Sequence, residues 1–235
     1  MTGRSPGGRM GRMVTDECSI LLEPYQAVYI DIAKVASSSI KATLASLLCL
    51  DGAEGNPHEV DFPRPPRADP LGERMYPGFY AFAFVRNPWD RLVSCYRDKI
   101  LREVAGFTTF SESGVARCLD RFDAFFANMS FSDFVHAVSS ISDEDADEHF
   151  RSQSDYVTNS YGSVAVDFVG RFEALDDDIA RIAREIGLPV GTCLPRLQAA
   201  PKVDLASFYT AETRAIVMAR YINDVELFEY DFPSG

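Results

Sequence analysis

The stretch Tyr29-Ile-Asp-Ile-Ala-Lys34-Val-Ala-Ser-Ser-Ser39-Ile-Lys-Ala-Thr-Leu44 decides how we interpret this chain. The β-branched residues of segment 28–32 predict a short buried strand. Residues 36–39 are all small and include no proline, which is typical of a tight turn. Apolar side chains then recur at helical spacing, at Ile40, Leu44, Leu47 and Leu48. The sequence therefore predicts a strand, a turn and the start of a helix.

This turn has the features of an anion-binding site. Backbone N–H groups in the first turn of a helix have no partner within the helix, and small side chains let an anion approach them. Lys34 adds a positive charge, and Ser37, Ser38 and Ser39 add hydroxyl donors. The pattern of ordinary ATP- and GTP-binding loops, G-x-x-x-x-G-K-[ST], is missing. We interpret the turn as a phosphate or sulfate cradle; the alternative is a structural loop that binds nothing.

A second stretch places an arginine at the end of another predicted strand. Residues 79–85 are apolar, aromatic or β-branched and predict that strand. Asn87 is a preferred N-cap, Pro88 suits the first helical position, and Asp90 complements the helix dipole. Arg86 is therefore expected where a strand ends and a helix begins, which is where open α/β sheets bind ligands.

Together the two stretches resemble the nucleotide-binding elements of sulfotransferases that use 3′-phosphoadenosine 5′-phosphosulfate (PAPS). The likeness is to the branch that includes carbohydrate sulfotransferases and many small bacterial enzymes. Its two elements read P-K-[TV]-[AG]-[SG]-[ST]-S-[LF] and F-[VI]-R-[ND]-P-[WF]-x-R-L-[VI]-S-x-Y. They correspond to residues 33–40 and 84–96 here, and the departure is Ala33 in place of the usual proline. Later blocks at 153–157, 166–173 and 219–230 are also similar, so the likeness spans roughly residues 28–232.

The resemblance implies a set of ligands for the cofactor. Lys34 would bind the 5′-phosphosulfate and balance the charge that develops on the bridging oxygen. Arg86 and Ser94 would bind the 3′-phosphate, and Arg171 would reach the cofactor side. The backbone that cradles the phosphosulfate would be that of Val35, Ala36, Ser37, Ser38, Ser39 and Ile40.

The implied fold is α/β, with a mainly parallel sheet flanked by helices, similar to P-loop NTPases and known as the sulfotransferase fold. Alternation of strand and helix in the sequence favours the same architecture. We expect a flexible N-terminal tail at residues 1–18 and a single domain at 19–235. The implied reaction moves a sulfuryl group in line from PAPS to a hydroxyl or amine of a small metabolite or sugar.

Such a transfer needs a base to remove the proton of the acceptor, and histidine suits this role. His58 lies in a proline-rich loop between the two cofactor elements, where the resembled branch often has a histidine. His149 is our second candidate. Rival bases in the loop region are Glu54, Glu59 and Glu73.

Composition excludes several classes of partner. The formal net charge of −12 and pI of about 4.7 disfavour binding to nucleic acid or anionic membranes. They also favour a neutral, zwitterionic or cationic acceptor over a sulfated polymer. Five scattered cysteines show no metal-ligand spacing, so we expect no metal and a reduced, cytoplasmic setting. No apolar run is long enough for a membrane helix. The sequence leaves the oligomeric state undecided.

Other expectations concern the middle of the chain. Residues 101–150 are expected to be helical, and the acidic run 142–148 is most simply a solvated loop or a helix start. We expect Arg91, Arg97 and Lys99 to be solvated. Two alternative functions stay open: a nucleotide-dependent kinase on a related sheet, and a nucleotide-binding protein without catalytic activity.

Overall fold

A four-stranded β-sheet organises the part of the chain that the structure describes. The computed structural model describes residues 13–104, 107–189, 194–195, 197 and 203–233. The strands lie side by side in chain order, with β1 antiparallel to β2 and the other two pairs parallel. Their bounds are Ser19–Leu22 (β1), Ala27–Ile30 (β2), Tyr80–Val85 (β3) and Phe168–Arg171 (β4). The predicted α/β class with a mainly parallel sheet is confirmed.

Helices flank this sheet and connect its strands. The α-helices are Thr15–Cys18 (α1), Ser37–Leu47 (α2), Pro88–Lys99 (α3), Phe131–Ser139 (α4), Ser154–Val157 (α5), Leu175–Ile186 (α6), Ala211–Arg220 (α7) and Ile222–Leu227 (α8). Short 3-10 helices occur at Glu23–Tyr25, Arg117–Leu119, Phe172–Ala174 and Leu205–Phe208.

The two strand-to-helix turns form as their sequences predict. All four residues of β2 are buried, and α2 begins seven residues later, at Ser37. At the second turn, the Asn87 side chain accepts hydrogen bonds from the backbone N–H groups of Trp89 and Asp90, and Pro88 occupies the first helical position. Because β2 and β3 are parallel neighbours, both turns leave the same edge of the sheet.

The helical prediction for residues 101–150 is wrong. Among the described residues of this segment, α4 and one 3-10 turn are the helical elements. The phenylalanines of this segment pack against one another from irregular stretches of chain. The ring centroids of Phe125 and Phe150, for example, lie 5.8 Å apart. Left-handed backbone at Arg102 and Asn128 interrupts any continuous helix.

Arg91 is buried, which contradicts the expectation that it is solvated. Its guanidinium donates to the backbone carbonyls of Ala33, Glu148 and Arg151 at 2.7–2.9 Å. Burial of this charged group is sustained because each of its three guanidinium nitrogens donates a hydrogen bond. Arg91 thereby ties the turn after β2 to the segment that contains His149. Arg97 and Lys99 are buried as well.

The predicted N-terminal tail is structured at its end. Residues 15–18 form α1, and Thr15 is fully buried. Asp16 accepts a hydrogen bond from the backbone of Ala68 in the long loop. Residues 1–12 of that prediction lie outside the described residues.

Candidate active site

One cavity of about 1410 Å³ lies at the edge of the sheet where both turns end. Its wall is formed by the turn after β2, one face of α3, the loop residues Asn56 and His58, and the segment around His149. Small-molecule sites usually measure roughly 300–1,000 Å³. This cavity therefore has room for a nucleotide and a second molecule together.

The turn after β2 forms the floor of the cavity and is conformationally strained. Ala36, Ser37, Ser38 and Ser39 line it. Lys34 and Ala36 both have left-handed backbone, with φ of 71° and 69°. This conformation costs non-glycine residues roughly 1–3 kcal/mol each and tends to persist at functional sites. The left-handed backbone at Lys34 and Ala36 turns the chain, and the first turn of α2 lines the cavity.

Lys34 is held by an internal carboxylate. Its Nζ lies 2.7 Å from Oδ2 of Asp98, and the two side chains are 12% and 6% exposed. Asp98 also contacts Lys99 at 3.2 Å and accepts a hydrogen bond from the Thr108 hydroxyl. Burial alone would raise the pKa of Asp98, but the two ammonium groups and hydrogen bonds lower it to about 2. Burial lowers the pKa of Lys34, and Asp98 opposes that shift.

Arg86 lines the cavity beside this turn and keeps donors available. Its Nε donates to Asp90 at 2.8 Å and its Nη1 to the Lys34 carbonyl at 3.1 Å. The guanidinium also stacks on the Phe172 ring, 4.1 Å from its centroid. Three of its five N–H groups therefore have no partner among the described residues. A planar fork of free donors fits a phosphate.

The blocks that resemble sulfotransferases beyond the two motifs hold the backbone of this turn in place. Gln153 accepts from the N–H of Arg86 and donates to its carbonyl. The backbone N–H of Gln153 donates in turn to Asp224, which is fully buried. Glu173 accepts from the N–H of Asn87 at 2.7 Å. Three distant segments thus hold the turn that carries Arg86, the residue expected to bind phosphate.

One face of α3 continues the polar wall. Asp90, Ser94 and Asp98 follow each other at intervals of four residues and all line the cavity. The Ser94 hydroxyl has no hydrogen-bond partner among the described residues. This spacing was visible in the sequence and would have identified Asp98, which we did not predict as a site residue.

His58 reaches the cavity from the loop, as predicted. Its Nε2 lies 2.8 Å from the Ser38 hydroxyl and its Nδ1 lies 3.3 Å from Nζ of Lys41. Lys41 also pairs with Asp31 at 2.7 Å. Burial, followed by the charge of Lys41, lowers the pKa of His58 to about 4.

His149 lies in the wall of the same cavity and pairs with Asp147. Its Nδ1 is 2.6 Å from Oδ1 of Asp147, which also accepts the backbone N–H of His149 at 3.1 Å. The Cys118 thiol is close by, and the three potential ligand atoms lie within 4.8 Å of one another. The sequence showed no metal-ligand spacing because Cys118 is distant along the chain.

The acidic run 142–148 is more than a solvated loop. Asp147 accepts a hydrogen bond from the ring of His149, and Asp143 pairs with Arg220. We missed Asp147, although its position two residues before a histidine was a usable signal: a carboxylate there can accept both the ring and the backbone N–H.

Several predicted site residues lie away from the cavity lining. The side chains of Val35 and Ile40 are buried in the core. The Arg171 guanidinium donates to the Phe228 carbonyl and stacks on Tyr230. The loop glutamates Glu54, Glu59 and Glu73 do not line the cavity either.

Comparison with known proteins places these elements in a family. The sequence model of the sulfotransferase family matches residues 19–231. An uncharacterised protein from Archaeoglobus fulgidus is 33% identical over 119 residues, covering 51% of this chain and 77% of that protein. Carbohydrate sulfotransferase 14 of human and of mouse is 26% identical over 236 residues, covering 92% of this chain and 60% of theirs. The chain thus spans 60% of the length of those two relatives. No solved structure matches the chain.

No helix in the described ranges is both long and apolar enough to cross a membrane. The matched range includes the cradle, Arg86, both cavity histidines and all four strands. The described sheet and its flanking helices are consistent with the fold of that family. The chain therefore belongs to the sulfotransferase family.

Proposed function

We propose that the protein is a PAPS-dependent sulfotransferase that sulfates a hydroxyl or amine of a small metabolite or sugar. The observation that carries this proposal is the pair of turns at one sheet edge. One turn presents helix N–H groups and Lys34. The other presents Arg86, three of whose N–H groups have no partner in the part of the chain that the structure describes. Two anionic groups of one nucleotide match these two positions.

The residues at these two positions offer donors and positive charge to such a nucleotide. Ser37 to Ser39 and the first turn of α2 would hold the 5′-phosphosulfate, as helix N-termini hold phosphates elsewhere. Arg86 and Ser94 would hold the 3′-phosphate, because both line the cavity and both have donors with no hydrogen-bond partner among the described residues. Arg171 is not included, since its guanidinium is engaged with Phe228 and Tyr230.

The rest of the cavity supports an acceptor without negative charge. Among its described lining residues, eight are acidic and five are lysine or arginine. Three cations of the lining each pair with an aspartate: Lys34 with Asp98, Lys41 with Asp31 and Arg86 with Asp90. A sulfated polymer would be repelled by such a wall, whereas a neutral sugar or a cationic metabolite would not. The names of the mammalian relatives favour a carbohydrate.

In the proposed reaction the protein positions two molecules and stabilises charge. The cradle would align the sulfuryl group, and Lys34 would balance the negative charge on the phosphate oxygen as its bond to sulfur breaks. A histidine of the cavity, His58 or His149, would take the acceptor proton. Catalysis by placement and electrostatics resembles that of phosphoryl transfer.

The test is transfer of labelled sulfate from PAPS to a panel of neutral and amino sugars and small hydroxylated metabolites. Lys34→Met should abolish transfer while leaving the far-UV circular dichroism spectrum unchanged. Arg184→Met removes a positive charge from the exposed side of α6 and serves as the matched control, with wild-type activity expected. Wild-type activity in Lys34→Met would refute the assigned role. Turnover of ATP with Mg²⁺ but not of PAPS would favour the kinase alternative.

A further inference from the structure

Two histidines line the cavity, and their hydrogen bonds distinguish which of them can act as a base. A general base needs an imidazole nitrogen whose lone pair is free to accept the proton of the acceptor. The inference below rests on the proposed sulfotransferase function and assigns roles within that site.

In His58 both ring nitrogens are already engaged. The Lys41 ammonium can only donate, so Nδ1 of His58 must be its acceptor. The ring proton then lies on Nε2, which donates to the Ser38 hydroxyl at 2.8 Å. No lone pair remains for an incoming proton, and the low pKa of about 4 is consistent with this arrangement. His58 instead anchors a serine of the cradle.

In His149 the opposite arrangement holds. Nδ1 lies 2.6 Å from a carboxylate oxygen of Asp147, so Nδ1 carries the proton and donates it. Burial would raise the pKa of Asp147, but the hydrogen bonds from His149 lower it, and Asp147 therefore stays ionised. Nε2 has no hydrogen-bond partner among the described residues, and its lone pair is available.

We propose that His149 is the catalytic base and that Asp147 is a positioning residue that fixes its tautomer. The acceptor proton moves to Nε2 of His149 as the acceptor oxygen or nitrogen forms a bond to sulfur. The bond between sulfur and the 5′-phosphate oxygen breaks, and its electron pair leaves with that oxygen. The resulting imidazolium is stabilised by the Asp147 carboxylate and later returns its proton to water.

A metal ion held by Cys118, Asp147 and His149 is the competing interpretation of this cluster. Two ligand atoms that share a tetrahedral zinc at about 2.0–2.2 Å lie roughly 3.3 Å apart. The separation of 2.6 Å between Nδ1 and Oδ1 is instead that of a charge-assisted hydrogen bond.

The proposal predicts a kinetic pattern for three variants. His149→Gln should lower kcat by roughly 10²–10⁴-fold with little change in the affinity for the desulfated product, 3′-phosphoadenosine 5′-phosphate (PAP). Asp147→Asn should lower kcat by roughly tenfold or more and move the acid limb of the kcat profile to lower pH, because the imidazolium loses its anionic partner. His136→Gln, on the exposed side of α4, is the matched control and should behave as wild type.

Other groups on this wall also titrate or carry charge, and the pH profiles of the variants must be compared with that of the wild type. They are Cys118, Glu148, Lys99, Asp98 and His58 on the cavity wall, with Arg121 close to Asp147. Since the variants leave these groups in place, a displaced acid limb in Asp147→Asn reports on the pair itself.

A second readout does not depend on activity. The chain has three histidines, so nitrogen-15 imidazole spectra can be assigned by single His→Gln variants. At pH 7.5 the proposal predicts the Nδ1–H tautomer for His149 and the Nε2–H tautomer for His58. The opposite tautomers would overturn it.

The remaining outcomes separate this inference from the proposed function. If the wild type binds PAP and transfers sulfate but His149→Gln is equally active, the assignment of His149 fails alone. If chelation abolishes activity and zinc restores it, the metal interpretation replaces the proposal. If the wild type neither binds PAP nor uses PAPS, the proposed function fails, and the base assignment fails with it.

Discussion

Replacing Asp98 by asparagine should destabilise the protein, because this carboxylate lies between two buried ammonium groups. Asp98 is 6% exposed and contacts Lys34 at 2.7 Å and Lys99 at 3.2 Å. The substitution removes one negative charge and keeps the shape of the side chain. The new amide oxygen can still accept the hydrogen bond of Thr108.

The magnitude follows from the pKa of Asp98, which falls from 3.8 to about 2. At 1.36 kcal/mol per pKa unit this corresponds to about 2.5 kcal/mol. The pKa of Lys34 does not shift upward as an ion pair alone would shift it, because burial lowers it. The shift of Asp98 reflects both ammonium groups, whereas Lys34 faces a single carboxylate. Allowing for the retained hydrogen bond, we expect a loss of about 2 kcal/mol, or roughly 4–8 °C in Tm.

The sign of the pH dependence follows from the direction of the shift. A carboxylate whose folded pKa is depressed stabilises the protein above its unfolded pKa and loses that contribution as the pH falls through the folded pKa. The Tm difference between wild type and Asp98→Asn should therefore be constant from pH 7 to about 5 and shrink as the pH falls from about 4 toward 2.

The assay is thermal unfolding by circular dichroism at pH 7, 5, 4 and 3, with Asp123→Asn as an exposed control that should not change Tm. Saturating PAP should reduce the difference at pH 7, because its phosphates supply Lys34 with a new anionic partner. An Asp98→Asn protein with wild-type Tm at pH 7, or a Tm difference that grows below pH 4, would refute the reasoning.

Three further substitutions test the site and the fold. Arg86→Lys should weaken PAP binding about tenfold in calorimetry, because lysine cannot offer a planar fork of donors; unchanged affinity would remove Arg86 as a ligand. Asn87→Ala should cost about 1–2 kcal/mol in urea unfolding, since it removes the N-cap of α3 and a hydrogen bond to the Asp231 carbonyl. Gly170→Ala should cost about 1–3 kcal/mol in the same measurement, because an added Cβ would lie 2.5 Å from the Phe84 ring; wild-type stability would show that β4 can shift.

Elements with strong local signals could be predicted from the sequence. The turn at Arg86 forms as expected because Asn87 and Pro88 specify an N-cap and a first helical residue. Helix α7, Ala211–Arg220, likewise begins at a local signal, since the Thr210 side chain caps it by accepting from the N–H of Thr213. Both depend on contacts within a few residues, which a single sequence contains.

Features that depend on distant partners could not be predicted. Arg91 resembles any surface arginine until α3 packs against the carbonyls of Ala33, Glu148 and Arg151. The two histidines were both recognisable as candidate bases. Their difference became visible only when the fold placed Lys41 on one ring and Asp147 on the other.

The central claim is that two turns at one sheet edge bind the two phosphate-bearing ends of a single nucleotide. Isothermal titration calorimetry of the wild-type protein with PAP, and separately with ATP and Mg²⁺, tests it most directly. We predict saturable one-to-one binding of PAP and at least tenfold weaker binding of ATP. Absence of heat on titration with PAP, together with clear binding of ATP, would contradict the account.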